Sequence, residues 1–188
     1  MPIIVRAATE LDAAAIGEAH AESWRIAYQP LFSPEFLAKA VEDRRAMWPT
    51  VFASEGFSYT TLLVAEDETG VFAFAHFGPT ADPEGAAEIY GFYAHPRGWG
   101  SDAATMLMRK AIEELKAAGF TRSVLWAHQG AERAQRFYSK SGWHLTGRRD
   151  ERQVGGASEY SVVVEFAKDL WARPLKPAPT TRRRARSP

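Results

Sequence analysis

The chain has 188 residues, with 23 lysines and arginines, 23 aspartates and glutamates, and no cysteine. This length suits one domain of ordinary size, and an apolar content of 46% is enough for a packed core, which excludes global disorder. A chain without cysteine has no disulfide, no thiolate zinc site and no cysteine nucleophile.

The sequence shows no pattern of a membrane or secretory segment. No apolar run approaches the roughly 20 residues that a membrane helix needs. The first residues, MPIIVRAATELD, lack the cationic leader and long apolar core of a secretory signal. We therefore expect a soluble, cytoplasmic protein that has no membrane partner.

The end of the chain differs in charge from the rest. Residues 173–188 hold six lysines and arginines and no acid, whereas residues 1–172 carry 17 basic and 23 acidic groups, a net charge of −6. Four prolines, and no large apolar residue after Leu175, predict a disordered basic tail at 173–188 behind one domain at 1–172. Such a tail suits an anionic surface, but the acidic body is unlike a dedicated DNA-binding domain, so we expect no nucleic-acid partner.

The first half of the chain predicts a strand, two helices and two further strands. Thr9 to Asp12 has the spacing of a capping box and predicts a helix start. One face of that helix would hold Ile16, Ala19, His20, Ser23, Trp24 and Ala27. The other predicted elements are a strand over 3–6, a helix over 35–48, and strands over 62–65 and 71–77.

The second half alternates strands with helices. A strand over 88–94 leads through a loop, HPRGWG, into a helix over 101–118 that Gly119 ends. A strand over 123–127, a short helix over 132–141 and a final strand over 158–166 follow. Strands and helices mix throughout, so the predicted class is α/β or α+β with a mixed sheet.

The strand, loop and helix over 87–115 have the features of a phosphate site. A strand that enters a helix through a tight loop leaves several backbone N–H groups unpaired, and the helix dipole then favours an anion. A phosphate loop ending in Gly-Lys-Ser/Thr is absent, and the dinucleotide fingerprint does not fit. Small residues allow close approach of a ligand: Gly98, Gly100, Ser101, Ala103 and Ala104. Groups nearby that are able to move protons are Glu88, Tyr90, Tyr93 and His95.

This segment resembles the GNAT superfamily of acyl-CoA-dependent N-acetyltransferases. In that family, the hallmark of the corresponding segment is Gln/Arg-x-x-Gly-x-Gly/Ala, and its backbone amides hold the coenzyme A pyrophosphate. The register places Trp99 at the Gln/Arg position, Asp102 at the first Gly and Ala104 at the Gly/Ala. The departure at Trp99 should have little effect on cofactor binding, because the family contacts the cofactor here through backbone groups. Asp102 either puts a carboxylate close to the diphosphate, or turns outward, or caps the helix.

The resemblance extends over residues 3 to 171. Residues 131–143 are similar to Asn-x-x-Ala-x-x-Phe-Tyr-x-x-x-Gly-Phe of the family, with Ala131 where Asn is usual and Trp143 where Phe is usual. The segment Ser23-Trp-Arg-Ile-Ala-Tyr28 resembles the family's first helix and acceptor-side loop, and residues 159–170 resemble its last strand. The implied fold is a single GNAT domain, a twisted mixed sheet flanked by helices.

The resemblance also implies a cofactor and the residues that hold it. Acetyl-CoA would lie between the strands over 88–94 and 123–127. Phe92, Tyr93 and Ala94 would contact the acetyl carbonyl and pantetheine arm through their backbone, with Tyr93 and Ala94 as donors, while Arg97 and Arg136 would reach the phosphates. The remaining predicted cofactor residues are Trp99, Gly100, Ser101, Asp102, Ala103, Ala104 and Ala131.

Two residues are the predicted catalytic groups. The resemblance implies that Tyr138 protonates the departing thiolate and that Glu88, eleven residues before Trp99, takes the proton of the amine, with His95 and Tyr90 as alternates. Trp24, Tyr28 and Tyr90 would line the acceptor pocket, although core packing is an equal alternative for Trp24 and Tyr28. The histidines show no metal-ligand spacing, so no metal is predicted: His20, His76, His95, His128 and His144.

The predicted activity is transfer of an acetyl group from acetyl-CoA to a primary amine of a small molecule or peptide, by direct attack. The absence of cysteine agrees with a route that has no covalent enzyme intermediate. The alternative is a GNAT-like module that binds coenzyme A with little or no turnover, which Asp102 and Ala131 favour. The resemblance leaves a homodimer open.

Overall fold

A computed structural model describes residues 2–83, 85–154 and 159–171 of the chain. The predicted tail at 173–188 lies outside the described residues, as does Ser158 at the start of the predicted last strand. The strands are β1 (Ile4–Ala7), β2 (Thr61–Asp67), β3 (Gly70–Pro79), β4 (Ala87–Ala94), β5 (Arg122–His128), β6 (His144–Gln153) and β7 (Tyr160–Asp169). The α-helices are α1 (Ala13–Ala27), α2 (Pro34–Ala46), α3 (Trp48–Phe52), α4 (Ala103–Ala117) and α5 (Glu132–Lys140).

The strands described form a 7-stranded sheet in the order β1-β2-β3-β4-β5-β7-β6. β4 and β5 run parallel, and the other neighbouring strands in this sheet run antiparallel. The predicted mixed sheet is therefore confirmed. Pairing between β4 and β5 covers only Ala87 with Ser123, Glu88 with Val124 and Ile89 with Leu125. Beyond these pairs the two strands diverge, which opens a gap in the middle of the sheet.

A β-bulge in β4 lies where this gap begins. Phe77 of β3 pairs with Ile89, but the preceding His76 pairs with Gly91, so Tyr90 is an extra residue in β4. A bulge bends its strand and increases the local twist. The bulge therefore helps to turn the second half of β4 away from β5.

Helices cover both faces of the sheet, as predicted. On one face α4 and α5 pack over strand residues such as Phe77, Ile89 and Phe166. On the other face α1, α2 and α3 pack over residues that include Phe74 and Val64. The alternation of side chains along each strand thus divides the core into two layers. No helix in the described ranges combines the length and apolar character needed to span a membrane.

The predicted capping box ties the start of α1 to the sheet. The backbone N–H of Thr9 donates to Asp12 at 2.8 Å, and Arg6 of β1 donates to the same carboxylate at 2.7 Å. Arg6 also bonds Glu66 of β2 at 2.6 Å. The hydrogen bond from Arg6 is the main reason that the pKa of Asp12 falls to about 2.

Two elements differ from the sequence prediction. The predicted helix over 35–48 ends at Ala46, and α3 starts separately with Pro49 in its first turn, because proline is tolerated only at a helix start. β6 was not predicted, since its sequence HLTGRRDERQ is polar and lacks apolar alternation. As the outermost strand it pairs on one side only, with β7, and its charged side chains face solvent.

Helices α1 and α2 touch at Gly17. A methyl group at this position would lie 2.3 Å from the backbone oxygen of Arg45. Only glycine therefore allows this approach, and it brings Trp24 of α1 and Arg44 of α2 together.

We predict that Gly17→Ala lowers the free energy of unfolding by about 1–3 kcal/mol, because α2 must move away. Helix propensity alone predicts the opposite, a gain of about 1 kcal/mol. Urea denaturation measures the change. Gly56→Ala is the matched control, since a methyl group there meets nothing within 4 Å, and it should alter stability by less than about 0.5 kcal/mol. A Gly17→Ala protein as stable as the unmodified chain would contradict this account of the helix contact.

Candidate functional site

The gap between β4 and β5 is part of a cleft with a volume of about 1180 Å³. Its walls come from β4, β5, the loop before α4, α5 and the end of α1. Both predicted catalytic residues and all three predicted acceptor-side residues line it, as do most of the predicted cofactor residues. These are Tyr138, Glu88, Trp24, Tyr28, Tyr90, Phe92, Tyr93, Ala94, Trp99, Gly100, Ser101, Ala104, Ala131 and Arg136.

The β4 wall offers free backbone groups to the cleft. His95 N–H donates to Phe72 of β3 at 2.7 Å, and backbone groups in an antiparallel strand point alternately to the two sides. The N–H of Tyr93 therefore faces β3, whereas those of Phe92 and Ala94 face the gap. This corrects the prediction of Tyr93 as a backbone donor. The Ala94 carbonyl also faces the gap, where it accepts a hydrogen bond from Trp99 Nε1 at 2.9 Å.

The start of α4 presents unpaired N–H groups beside this wall. Among the described residues, the N–H groups of Gly100, Asp102, Ala104 and Thr105 have no hydrogen-bond acceptor. Gly100 has a φ of 87°, in the left-handed region that favours glycine. Such free donors at the N-terminus of a 15-residue helix suit a phosphate group. Gly98 and Thr105 also line the cleft at this point.

The side chain of Asp102 is directed away from the cleft. It is exposed, it does not belong to the cleft lining, and it makes no capping hydrogen bond at the start of α4. Of the three orientations left open by the sequence, the structure has the outward one. Ala103 does not line the cleft either, because its methyl group is fully buried in the core below α4. Their side chains are thus no part of the candidate site.

Basic residues of α5 flank the mouth of the cleft. Arg136 lines it and pairs with Glu132 at 3.0 Å, and Lys140 lines it one turn later. Arg133 places its guanidinium carbon 4.1 Å from the centre of the Trp99 ring. Sequence reasoning missed Arg133, since nothing in a run of helical arginines shows which of them contacts a loop far away in the chain.

Arg97 does not reach the cleft, which corrects its prediction as a phosphate ligand. It pairs with Asp67 at 2.8 Å and donates to the Gly70 carbonyl at 2.8 Å. His95, an alternate for the base, also lies outside the cleft lining. Its Nδ1 accepts the N–H of Arg97 at 3.0 Å in the turn that precedes α4.

Three tyrosines meet deep in the cleft: Tyr28 at the end of α1, Tyr93 on β4 and Tyr138 on α5. Burial is the main reason that the pKa values of Tyr28 and Tyr138 are raised, and the neighbouring Tyr93 raises both further. Tyr138 therefore stays protonated at neutral pH and is able to donate a hydrogen bond. The sequence placed Tyr93 among the groups able to move protons but not in this cluster, because the bulge that orients its side chain is a feature of strand pairing.

Glu88 lies on β4 just before the strands separate. Its pKa is raised chiefly by burial, against the lowering effects of Arg152 and of the Thr80 hydroxyl. Tyr90, two residues later, packs on His76 at 5.3 Å between ring centres, and its hydroxyl donates to the Pro79 carbonyl. A raised pKa makes this half-buried carboxylate a stronger base than a solvated one, which suits a general base.

An aromatic cluster closes the cleft on the side of α1 and α2. Trp24 and Tyr28 lie 4.3 Å apart between ring centres, and both contact His128 of β5, at 5.7 and 4.8 Å. Phe32 completes the cluster. Burial lowers the pKa of His128 to about 4, so this imidazole is neutral. Trp24 and Tyr28 thus belong to the core and to the cleft lining at once, which combines the two alternatives drawn from the sequence.

Arg44 of α2 is a lining residue that sequence reasoning missed. Its guanidinium carbon lies 3.2 Å from the centre of the Trp24 ring. The available signal was an arginine at helical spacing from Leu37, Ala40 and Val41, which are all buried.

Within the described ranges no group of three or more residues is arranged to hold a metal ion.

Comparison with known proteins identifies relatives of this fold. The model of the acetyltransferase (GNAT) family matches residues 16–143, more than half of the chain. The search of curated proteins found no match to this chain. The PaiA N-acetyltransferase of Thermoplasma acidophilum in complex with coenzyme A is 17% identical, with a TM-score of 0.72 over 90% of this chain and 99% of that one.

Two other solved structures have similar folds. A GCN5-related N-acetyltransferase from Rhodopseudomonas palustris is 22% identical, with a TM-score of 0.72 over 90% of this chain and 96% of that one. The yncA acetyltransferase from Salmonella typhimurium with its cofactor acetyl-CoA is 17% identical, with a TM-score of 0.63 over 95% of this chain and 99% of that one. At these identities each likeness shows a shared fold.

Proposed function

Because the chain belongs to the acetyltransferase (GNAT) family, we propose that it transfers the acetyl group of acetyl-CoA directly to a primary amine of a small molecule or peptide. Family membership confirms the resemblance drawn from the sequence. The observation that carries the proposal is the opening between β4 and β5. This opening brings free β4 backbone groups, free N–H groups of α4 and the Tyr138 hydroxyl to one cleft.

The described residues fit coenzyme A. The N–H groups of Gly100, Asp102, Ala104 and Thr105 would hold the diphosphate, because they are unpaired and lie at a helix N-terminus. The Phe92 and Ala94 backbone would bind the amide groups of the pantetheine arm as a neighbouring strand does. Arg133, Arg136 and Lys140 add positive charge at the same wall of the cleft. The acetyl thioester is the group that the cofactor supplies.

Glu88 and Tyr138 would carry the proton transfers. An ammonium must lose a proton before its nitrogen attacks, and the Glu88 carboxylate accepts that proton directly or through water. The Tyr138 hydroxyl then donates its proton to the departing thiolate. The raised pKa of Tyr138 keeps this hydroxyl protonated until that step. Trp24, Tyr28 and Tyr90 would line the acceptor pocket on the side of α1 and α2.

The second candidate function is binding of coenzyme A without turnover. Ala131, at the position where the family usually has asparagine, favours it. A thermal shift with acetyl-CoA, followed by thiol release with a panel of amines, separates the two functions. A shift with thiol release supports the transferase, whereas a shift with none supports the binding module. No shift at all would contradict both.

Asp102 should have little influence on the cofactor, because its side chain is exposed and outside the cleft. We predict that Asp102→Asn changes the Kd for coenzyme A by less than about twofold even at low salt, where charges are least screened. Ala104→Asp is the matched variant, since Ala104 lines the cleft, and it should weaken binding about tenfold or more. Calorimetry at low salt measures both. Tighter binding by Asp102→Asn would show that the carboxylate does face the phosphates.

We predict that Tyr138→Phe lowers kcat by roughly 100-fold, with little change in the Kd for acetyl-CoA. The substitution removes one hydroxyl and keeps the ring contacts with Phe92 and Phe166. Steady-state thiol release and calorimetry provide the two measurements. Tyr160→Phe on the exposed surface of β7 is the control and should match the unmodified chain. A near-normal kcat in Tyr138→Phe would mean that the thiolate leaves without this acid.

We predict that Glu88→Gln changes the pH profile of the rate. A base works only when deprotonated, and burial raises the pKa of Glu88, so its contribution grows as pH rises through that pKa. The fraction of the rate that Glu88→Gln loses should be largest at pH values between the pKa of Glu88 and that of the amine. At higher pH, where free amine is abundant, this loss should become smaller. Glu132→Gln, at the mouth of the cleft, should keep the original profile. The same fractional activity at every pH would make Glu88 a structural residue.

A further inference from the structure

Arg44 is a cation that lies between two cavities. Its side chain lines the cleft and also an adjoining cavity of about 470 Å³, which His20, Trp48 and Phe74 help to form. Arg44 comes from the last turn of α2 and contacts Trp24 of α1, so it belongs to the side of the cleft formed by α1 and α2. The proposed diphosphate site is at the other wall. This guanidinium therefore has no part in holding coenzyme A.

Most of the hydrogen-bonding capacity of Arg44 is unused. Its Nη1 donates to the Ala40 carbonyl at 2.9 Å, while its Nε is buried without an acceptor. Among the described residues no carboxylate lies within ion-pair distance, and the adjacent Asp43 pairs with Lys39 at 2.7 Å instead. The Trp24 ring covers one face of the guanidinium. Because Arg44 lines the cleft, its remaining N–H groups are available to an anion that enters there.

Two of the other cations that line the cleft are paired with carboxylates. Arg152 pairs with Asp150 at 3.1 Å, and Arg136 pairs with Glu132 at 3.0 Å. Arg133 and Lys140 have no carboxylate partner among the described residues, but both lie on α5, at the wall proposed for the phosphates. Arg44 is thus the unpaired guanidinium, among the described lining residues, on the side where the acceptor would enter.

The reaction centre is close to this cation. The charge of Arg44 acts on the hydroxyls of Tyr28 and Tyr93, and Tyr93 in turn acts on Tyr138. Arg44 lies on the Trp24 ring, whose centre is 4.3 Å from that of Tyr28, and Tyr28, Tyr93 and Tyr138 line the same cleft as Arg44. An acceptor whose anionic group met Arg44 would need its amine only a few bonds away from that group.

We propose that Arg44 binds the carboxylate of the acceptor, so that the substrates are small amines carrying a carboxylate near the amino group, as free amino acids do. This inference rests on the proposed transferase function. A planar guanidinium matches a carboxylate through paired N–H donors, which a lysine does not reproduce. A long peptide would place its carboxylate far from the amine, and a polyamine would bring a second cation to Arg44.

The test compares free amino acids with their carboxamides, which keep the amine and lose the anion. For at least one pair, we expect the unmodified chain to have a kcat/KM about 10- to 100-fold higher for the amino acid than for its carboxamide. This factor corresponds to the usual strength of a hydrogen bond to a charged group. In Arg44→Gln this ratio should fall toward one, and in Arg44→Lys it should recover only in part. Arg45→Gln removes the neighbouring arginine, which is absent from the cleft lining and pairs with Glu18 at 2.8 Å, and should keep the ratio.

The outcomes separate this inference from the proposed function. Acetylation of carboxamides, peptides or diamines with no preference for a carboxylate would overturn the role of Arg44 and leave the transferase intact. The same holds if Arg44→Gln and Arg44→Lys both fold, as circular dichroism shows, and keep the original ratio. Binding of acetyl-CoA without acetylation of any amine in the panel would overturn both the transferase and this inference.

Discussion

The early end of the pairing between β4 and β5 is the constraint on which the site depends. Three residue pairs hold these parallel strands together, and the bulge at Tyr90 then turns β4 away. An edge opened inside a sheet leaves backbone N–H and C=O groups without partners, which is costly when they are buried. The cleft is therefore a place where the fold leaves backbone hydrogen bonds unmade, and a ligand with amide groups is able to make them.

Burial shifts the pKa values of three groups in the cleft in the direction that favours their neutral form. It raises the pKa values of Tyr138 and Glu88 and lowers that of His128. The result is a site with a protonated phenol, a carboxylate poised to exchange protons and a neutral imidazole. Arg44 is the exception, because a guanidinium remains charged even where burial lowers its pKa. Its charge is held in an otherwise aromatic wall by contact with Trp24.

The sequence predicted the parts of the fold that repeat a regular local pattern. The capping box at Thr9 and the apolar stripe of α4 depend on neighbouring residues, so they are visible without tertiary information. β6 was not visible, because its charges hide the strand pattern and its pairing with β7 depends on distant residues. The outward turn of Asp102 and the role of Arg44 depend on how loops and helices meet in space. Most of the site residues predicted from residue types and spacings therefore line the cleft, but the sequence did not show which way each side chain faces.

The charged strand β6 also affects how copies of this protein meet in solution. Its outer edge presents unpaired backbone groups, which in other sheets recruit a strand from a second molecule. Five successive charged side chains, Arg148 to Arg152, line this strand. Pairing of a second strand with this edge would strip these charged side chains of water. The residues that conceal β6 in the sequence thus protect the finished sheet from growing by uncontrolled strand addition.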